Sequence, residues 1–165
     1  AGPVTSANVF AFDESGTTDA SGEASYPGES SGQYVVSVTA PDHQFYKLLP
    51  ESALANQFTS TAGVASDVTA VLLDETIGSV LVKVENSADS SVLAGASVQL
   101  SNTTLSYDVT VTTDQYGYAY FPTSLPELVD ENYDIDVTLS GYADESATVS
   151  VSGALVNQTI QMTAN

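Results

Sequence analysis

The feature of this sequence that most constrains its fold is a short-range alternation of apolar and polar residues. Six runs show it: residues 7–11, 34–38, 80–84, 96–101, 133–139 and 148–151. Successive side chains of a β-strand point to opposite faces, so such runs indicate strands with one buried face. Gly, Ser, Asp and Pro separate the runs, which is typical of antiparallel sheets packed face to face. One segment, residues 48–58, has apolar residues at helical spacing, and we expect a short helix near 50–58.

The chain also repeats itself. Residues 18–26 match residues 113–121, and each segment lies between an upstream strand that opens with alanine and a downstream strand that opens with tyrosine. We therefore predict two tandem immunoglobulin-like antiparallel β-sandwiches, module one over 1–75 and module two over 76–165. In each repeat an aspartate precedes a glycine by three residues, and we expect Asp19 and Asp114 to accept backbone N–H groups across a turn.

Composition excludes most enzyme chemistry. The 165 residues include no cysteine, tryptophan or arginine, and only Lys47, Lys83 and the lone His43 accompany 21 acidic residues, for a net charge of −19. The chain therefore offers no thiolate nucleophile, no histidine-rich zinc site, and no basic patch for nucleic acid or anionic lipid. We predict no catalytic residues and no enzyme activity. The longest apolar run is too short to insert into a membrane.

The same composition favours an extracellular location. Serine and threonine are abundant beside the acids, and no leader peptide stands at the start, so we expect any leader to have been removed. Asn102 and Asn157 each begin an N-glycosylation acceptor pattern and are the predicted sites of modification.

Several short motifs recur in a family-like order. Module two contains residues 78–80, 93–98, 113–117 and 140–142, which read GSV, LAGASV, TDQYG and SGY, and module one contains GPVTSANV at 2–9 and TDASG at 18–22. These motifs resemble the carboxypeptidase-regulatory-like group of transthyretin-type β-sandwiches and the related collagen-adhesin B-type repeats. The resemblance implies an extracellular spacer, stalk, adhesin or fibre module, usually without catalysis.

Module one starts where the second strand of this fold should begin, so its first strand is missing from the sequence. A sandwich that lacks a strand exposes backbone groups and apolar side chains, which a strand from another subunit can cover. We expect Val4 and Val9 to belong to that interface. The alternatives are a shorter native module, or an upstream strand that is trimmed from this chain.

A structural calcium ion is the one cofactor that the residues favour. Calcium prefers oxygen ligands, and alternate oxygen-bearing side chains run from Asp13 to Asp19. Strand order brings the loop of Asp42 to the same end of module one as Asp19. We predict a site formed by Asp13, Asp19 and Asp42, against the simpler alternative of solvated acids.

Three tyrosines mark a second candidate interface. If Ala119 and Phe121 face the core, then Tyr116, Tyr118 and Tyr120 stand on the outer face of module two, where tyrosine suits contacts between proteins.

Together these features predict a structural subunit of an extracellular filament or surface layer, whose copies polymerise head-to-tail by strand complementation. The alternatives are a non-polymerising stalk or adhesin segment, and a carbohydrate-binding accessory module of a secreted enzyme.

Overall fold

The computed structural model describes residues 2–26 and 30–165, and the described chain is all-β. It divides into two compact units, Ala1–Glu75 (unit 1) and Thr76–Asn165 (unit 2). Unit 1 contains the strands β1 (Asn8–Ala11), β2 (Glu14–Thr17), β3 (Gly32–Val35), β4 (Ser37–Thr39), β5 (His43–Leu49), β6 (Gln57–Ser60) and β7 (Thr69–Asp74). Unit 2 contains β8 (Ser79–Asn86), β9 (Ser97–Asn102), β10 (Tyr107–Thr112), β11 (Tyr118–Phe121), β12 (Asn132–Thr138), β13 (Glu145–Ser150) and β14 (Leu155–Met162).

Unit 2 is a sandwich of two sheets, with strand orders β10-β9-β12-β13 and β11-β8-β14. Every pairing is antiparallel except that of β14 with β8, which is parallel. The alternation expected from the sequence determines which face is buried, since Tyr133, Ile135 and Val137 of β12 point into the core and their neighbours are exposed. The core draws on both sheets, and Val80, Val82 and Val84 of β8 lie at its centre with no exposed surface.

Unit 1 has smaller sheets and a smaller core. Its strands pair as β2-β1-β4, β3-β6 and β5-β7, all antiparallel. The buried residues of its core cluster are Ala7, Ala11, Val36, Val38, Leu48 and Phe58. Around them lies a wider shell of half-buried apolar side chains, including Val4, Tyr26, Ala70 and Leu72. The part of unit 1 that the structure describes is therefore an incompletely closed sandwich.

The helix expected near residues 50–58 is not formed. Leu48 lies in β5 and Phe58 in β6, and both are buried in the core of unit 1 from strands. The residues between them form a turn in which the Leu48 N–H donates to the Ala55 carbonyl at 2.7 Å. Leu54, which a helix would have buried, is 54% exposed. The apolar spacing was compatible with a helix, but pairing of the flanking strands took precedence over it.

Candidate functional site

Both units contain the same aspartate turn. In unit 2 the Asp114 carboxylate accepts the N–H groups of Tyr116 and Tyr118 at 3.0 and 3.1 Å, and the Gly117 N–H donates to the Asp114 carbonyl at 2.9 Å. Gly117 has a φ of +78°, a conformation that glycine adopts without strain. The turn leads directly into β11.

In unit 1 Asp19 makes the matching bonds. Its carboxylate accepts the N–H groups of Ser21 and Glu23 at 2.8 and 3.0 Å, and the Gly22 N–H donates to its carbonyl at 3.0 Å. These backbone hydrogen bonds, that from Glu23 first, lower the pKa of Asp19 from 3.8. The expected turn-capping role of Asp19 and Asp114 is confirmed.

A threonine before each aspartate ties the turn to the segment that precedes β9 in unit 2 and β1 in unit 1. In unit 2 the buried Thr113 hydroxyl donates to the Leu93 carbonyl at 2.7 Å and accepts the Ala96 N–H at 2.9 Å. In unit 1 the Thr18 hydroxyl donates to the Val4 carbonyl at 2.8 Å and accepts the Ala7 N–H at 2.9 Å. These bonds make Val4 the equivalent of Leu93.

The ends of the two units also correspond. The Glu75 N–H donates to the Asp42 carbonyl at 2.8 Å, and the Asn165 N–H donates to the Gly141 carbonyl at 3.0 Å. Asp42 and Gly141 both have a positive φ, at 58° and 89°. This correspondence makes β7 the equivalent of β14, with Leu72 at the position of Met162.

The strand β8 fills the space between these elements in unit 2. It pairs with β11 on one side and with β14 on the other. The Val84 N–H donates to the Gly117 carbonyl at 2.8 Å, and the Val84 carbonyl accepts the Leu93 N–H at 2.9 Å. β8 is therefore bonded to both sheet neighbours and to the start of the next strand.

Among the described residues of unit 1, no strand occupies the position of β8. β7 pairs only with β5, and residues 23–26, the counterpart of β11, do not form a strand. No described backbone group takes the place of Val84 beside the Gly22 carbonyl and the Val4 N–H. We call this edge, made of Val4, Gly22, residues 23–26 and β7, the strand site.

The exposure of the neighbouring side chains also differs between the two units. Ala119 and Met162, which face β8, are 1% and 0% exposed, whereas their equivalents differ: Ala24 is exposed and Leu72 is half-buried. These side chains beside β8 are buried in unit 2, and their equivalents in unit 1 are more exposed. Sequence reasoning predicted the missing strand and Val4 but did not assign Gly22, Ala24 or Leu72 to this edge. The match of residues 18–26 to 113–121, which aligns Gly22 with Gly117 and Ala24 with Ala119, is the signal for the first two.

Val4 and Val9 have different positions in unit 1. Val4 is half-buried and belongs to the strand site. Val9 lies on β1, where Gly16 of β2 and Val38 of β4 pair with it on its two sides. Its backbone edge is therefore occupied, so Val9, contrary to expectation, is not available for pairing with an incoming strand.

The three aspartates of the predicted calcium site are not brought together. Asp13 precedes β2 and Asp19 follows it, so roughly 13 Å of strand separates them. Asp42 does follow the end of β4 that lies beside the Asp19 end of β2, because Asn8 pairs with both Thr17 and Thr39. Within the described residues there is no group of three or more His, Cys, Asp or Glu side chains that could hold a metal ion. The alternation of oxygen ligands reflects a paired strand rather than a binding loop.

The predicted tyrosine interface is only partly exposed. Ala119 and Phe121 face the core, which leaves Tyr118 and Tyr120 half-buried on the outer face of β11. The Lys83 Nζ atom lies 5.8 Å from the centre of the Tyr118 ring. Tyr116, expected beside them, is only 8% exposed, because it lies in the turn before β11, where strand alternation does not apply.

The two glycosylation candidates also differ. The Asn102 side chain is buried, its amide donates to the Asn132 carbonyl at 2.8 Å, and its oxygen accepts the Leu105 N–H at 2.9 Å. A glycan on this nitrogen would disrupt both contacts, so the structure argues against Asn102. Asn157 is exposed on β14 and remains a predicted site.

Unit 2 also has an apolar cavity, with a volume of about 320 Å³, between β10 and the connection from β11 to β12. Tyr107, Leu125 and Val129 are among its lining residues. The Tyr107 hydroxyl is buried without a hydrogen-bond partner, and burial raises the pKa of Tyr107.

Comparison with known proteins gives no family assignment. No family model matches the sequence, and no curated protein matches it. No helix in residues 2–26 and 30–165 is long and apolar enough to span a membrane.

Among solved structures, the similar chains include two pilins and the TIE protein of Bacillus anthracis. The TIE protein of Bacillus anthracis is 18% identical with a TM-score of 0.44, over 99% of this chain and 31% of that one. A minor pilin of Streptococcus agalactiae is 12% identical with a TM-score of 0.44, over 99% and 85% of the two chains. The shaft pilin SpaA of Lactobacillus rhamnosus GG is 13% identical with a TM-score of 0.42, over 100% and 94%. The chain spans about a third of the TIE protein. These identities and TM-scores are low, and the similarity concerns the all-β fold alone.

Proposed function

We propose that this protein is a non-enzymatic structural subunit of an extracellular filament or surface layer. Its copies join head-to-tail, and the joint is the strand site of unit 1. The observation that carries the proposal is the contrast between the units: β8 completes unit 2, and the described residues of unit 1 supply no equivalent strand. We further assign both units to the carboxypeptidase-regulatory-like group of transthyretin-type sandwiches, on the motifs that they share.

An open strand edge is costly for a protein that remains alone. It leaves backbone donors and acceptors without partners and invites pairing with other chains. The apolar side chains beside it add to this, since each Å² of apolar surface removed from water contributes about 25 cal/mol. An incoming strand covers both kinds of surface at once, which is the physical basis of strand addition between subunits.

Composition supports a structural rather than a catalytic role. The chain has a single histidine, no cysteine and no arginine, so it offers no thiolate nucleophile, no paired histidines and no arginine clamp. The aspartates with the clearest structural role, Asp19 and Asp114, cap turns. The predicted calcium ion remains a proposal, and a salt series described below tests it.

The experiment is to complete unit 1 within its own chain. Residues 79–91, which contain β8 and the loop that follows it, are placed directly before Pro3, the equivalent of Val92. We expect regular fibres from the purified wild-type chain in negative-stain electron microscopy, and their loss in the grafted chain. The matched control carries the same graft with Val82→Asp and Val84→Asp, which cannot enter an apolar core, and it should retain fibre formation.

Two outcomes contradict the proposal. Continued fibre growth by the intact graft would exclude the strand site as the joint. A wild-type chain that remains monomeric across protein and salt concentrations would favour a non-polymerising stalk or adhesin segment instead.

A further inference from the structure

We infer that the strand site binds an extended peptide segment in a single direction and register, with apolar side chains at alternate positions and no carboxylate opposite Glu23. This inference rests on the proposed function and specifies the partner of the same site. Its elements are direction, register, buried side chains and charge, and each follows from the way β8 is held in unit 2.

The direction follows from the two neighbours of β8. β8 runs parallel to β14 and antiparallel to β11. Because β7 corresponds to β14, and residues 23–26 correspond to the start of β11, the incoming segment runs parallel to β7 and antiparallel to residues 23–26.

The register follows from one residue. Val84 bonds through its N–H to Gly117 and through its carbonyl to Leu93. The corresponding groups in unit 1 are the Gly22 carbonyl and the Val4 N–H, so the segment must place one residue between them. The rest of the register is then determined: that residue lies beside Ala70, the equivalent of Ile160, and the residue two before it lies opposite Ala24, the equivalent of Ala119.

The buried face must be apolar and of moderate size. In β8 this face consists of Val80, Val82 and Val84, each with no exposed surface. In unit 1 it would meet Ala24, Leu72 and the half-buried shell of the core. A charged group at any of the three positions would be buried without a partner, which is strongly unfavourable.

The opposite face has a charge requirement. In unit 2 Lys83 of β8 pairs across the sheet with Tyr118. The position of Tyr118 is occupied in unit 1 by Glu23, which is exposed. The residue of the segment that corresponds to Lys83 therefore lies directly opposite a carboxylate. An opposite-charge pair at this place strengthens binding, and a like-charge pair weakens it.

A synthetic peptide with the sequence of residues 79–86, fluorescently labelled, tests the inference on the full chain at protein concentrations below those that form fibres. We expect saturable one-to-one binding by fluorescence anisotropy. The peptide with Val82→Asp should not bind. Leu72→Asp in the protein should abolish binding, whereas Thr59→Asp, at an exposed position of β6 outside the strand site, should not.

A charge swap tests the register. The peptide with Lys83→Glu should bind the wild-type chain about three- to tenfold more weakly. The Glu23→Lys protein should reverse this preference and bind that peptide better than the original one. No saturable binding, equal binding of the Val82→Asp peptide, or a preference that Glu23→Lys leaves unchanged would each overturn the inference.

The peptide-binding result can be distinguished from the result of the fibre experiment that tests the proposed function. Peptide binding with the expected charge preference, in a chain that never forms fibres, would uphold the register and refute the filament. Fibres that form in a chain with no affinity for the peptide would leave the filament standing and place its joint elsewhere.

Discussion

At the scale of single residues, side-chain hydrogen bonds hold together the segments that lead into each sheet. Thr113 and Asp114 are adjacent in sequence, and between them they bind four backbone groups of unit 2. Thr18 and Asp19 do the same in unit 1. The aspartate bonds reach only two or four residues along the chain, which explains why the turns could be predicted from sequence. The threonine bonds reach residues 11 to 20 positions away and depend on the fold.

Thr113→Val should destabilise unit 2. Valine has nearly the same shape, but it leaves the Ala96 N–H and the Leu93 carbonyl without partners in a buried place, at a cost of about 2–4 kcal/mol in the free energy of unfolding. Thr110→Val, at an exposed position of the neighbouring strand, is the control. Hydrogen exchange measured by mass spectrometry resolves the two units. Equal effects of the two substitutions would contradict the role of the hydroxyl.

Asp19 should give unit 1 an acid-sensitive component of stability. Its pKa is lower in the folded chain than the ordinary value of 3.8, so the carboxylate stabilises the fold above that pH and the contribution disappears as the pH falls through the folded-state pKa. The melting temperature of Asp19→Ala should therefore lie below that of the wild type at pH 7 and approach it below pH 3.8. Asp19→Asn keeps the acceptor oxygen but does not titrate, and should show less of this pH dependence. A wild-type advantage over Asp19→Ala that persists at pH 2 would refute the assignment.

At the scale of elements, one strand accounts for the difference between the two units. β8 presents three valines to the core and pairs on both edges. Residues 24–26 and 119–121 have the same apolar spacing, but only the second segment is a strand, because a strand requires a partner for its backbone groups. The same apolar pattern therefore gives two different local structures.

Equivalent core substitutions in the two units should change their free energies of unfolding by different amounts. Met162→Ala removes a fully buried side chain and should lower the free energy of unfolding of unit 2 by about 2–5 kcal/mol. Leu72→Ala removes a half-buried one at the equivalent position, and we expect a cost of roughly half as much in the free chain. When the peptide of residues 79–86 is bound, the cost of Leu72→Ala should rise. Hydrogen exchange measures the free energy of unfolding of each unit separately. If Leu72→Ala cost as much as Met162→Ala in the free chain, the strand site would already be covered.

At the scale of the whole molecule, charge opposes association. Each chain of 17.1 kDa carries a net charge of −19, so copies repel one another. Salt shortens the range of this repulsion, from about 10 Å at 0.1 M to about 3 Å at 1 M. Assembly through an apolar strand site must overcome that repulsion.

Fibre formation should therefore increase with sodium chloride, measured by light scattering and checked by microscopy. Calcium chloride at the same ionic strength separates screening from specific binding. Added fibre yield or a higher melting temperature in calcium, reversed by chelator and absent with magnesium, would support a calcium ion. Identical results at matched ionic strength would contradict the calcium prediction and leave screening as the explanation.

The sequence by itself determined the elements with a local cause. Alternation determined the buried faces of β9 and β12, and the aspartate and glycine of each repeat determined a turn. Leu48 and Phe58 suggested a helix because spacing alone cannot distinguish the buried face of one helix from buried residues of two separate strands. Asp13 and Asp19 suggested a metal site because the pattern does not show that a paired strand separates them.

Only the tertiary structure decided which apolar surfaces are covered. Burial of Tyr116 and Asn102, exposure of Ala24, and the open edge of β7 all depend on segments that are distant in sequence. A residue's neighbours along the chain determine its conformational preferences, but its burial depends on which strand lies beside it. The strand site is defined in this way, by a comparison of two units with similar sequence patterns. Among the described residues, the central strand is present in unit 2 and not in unit 1.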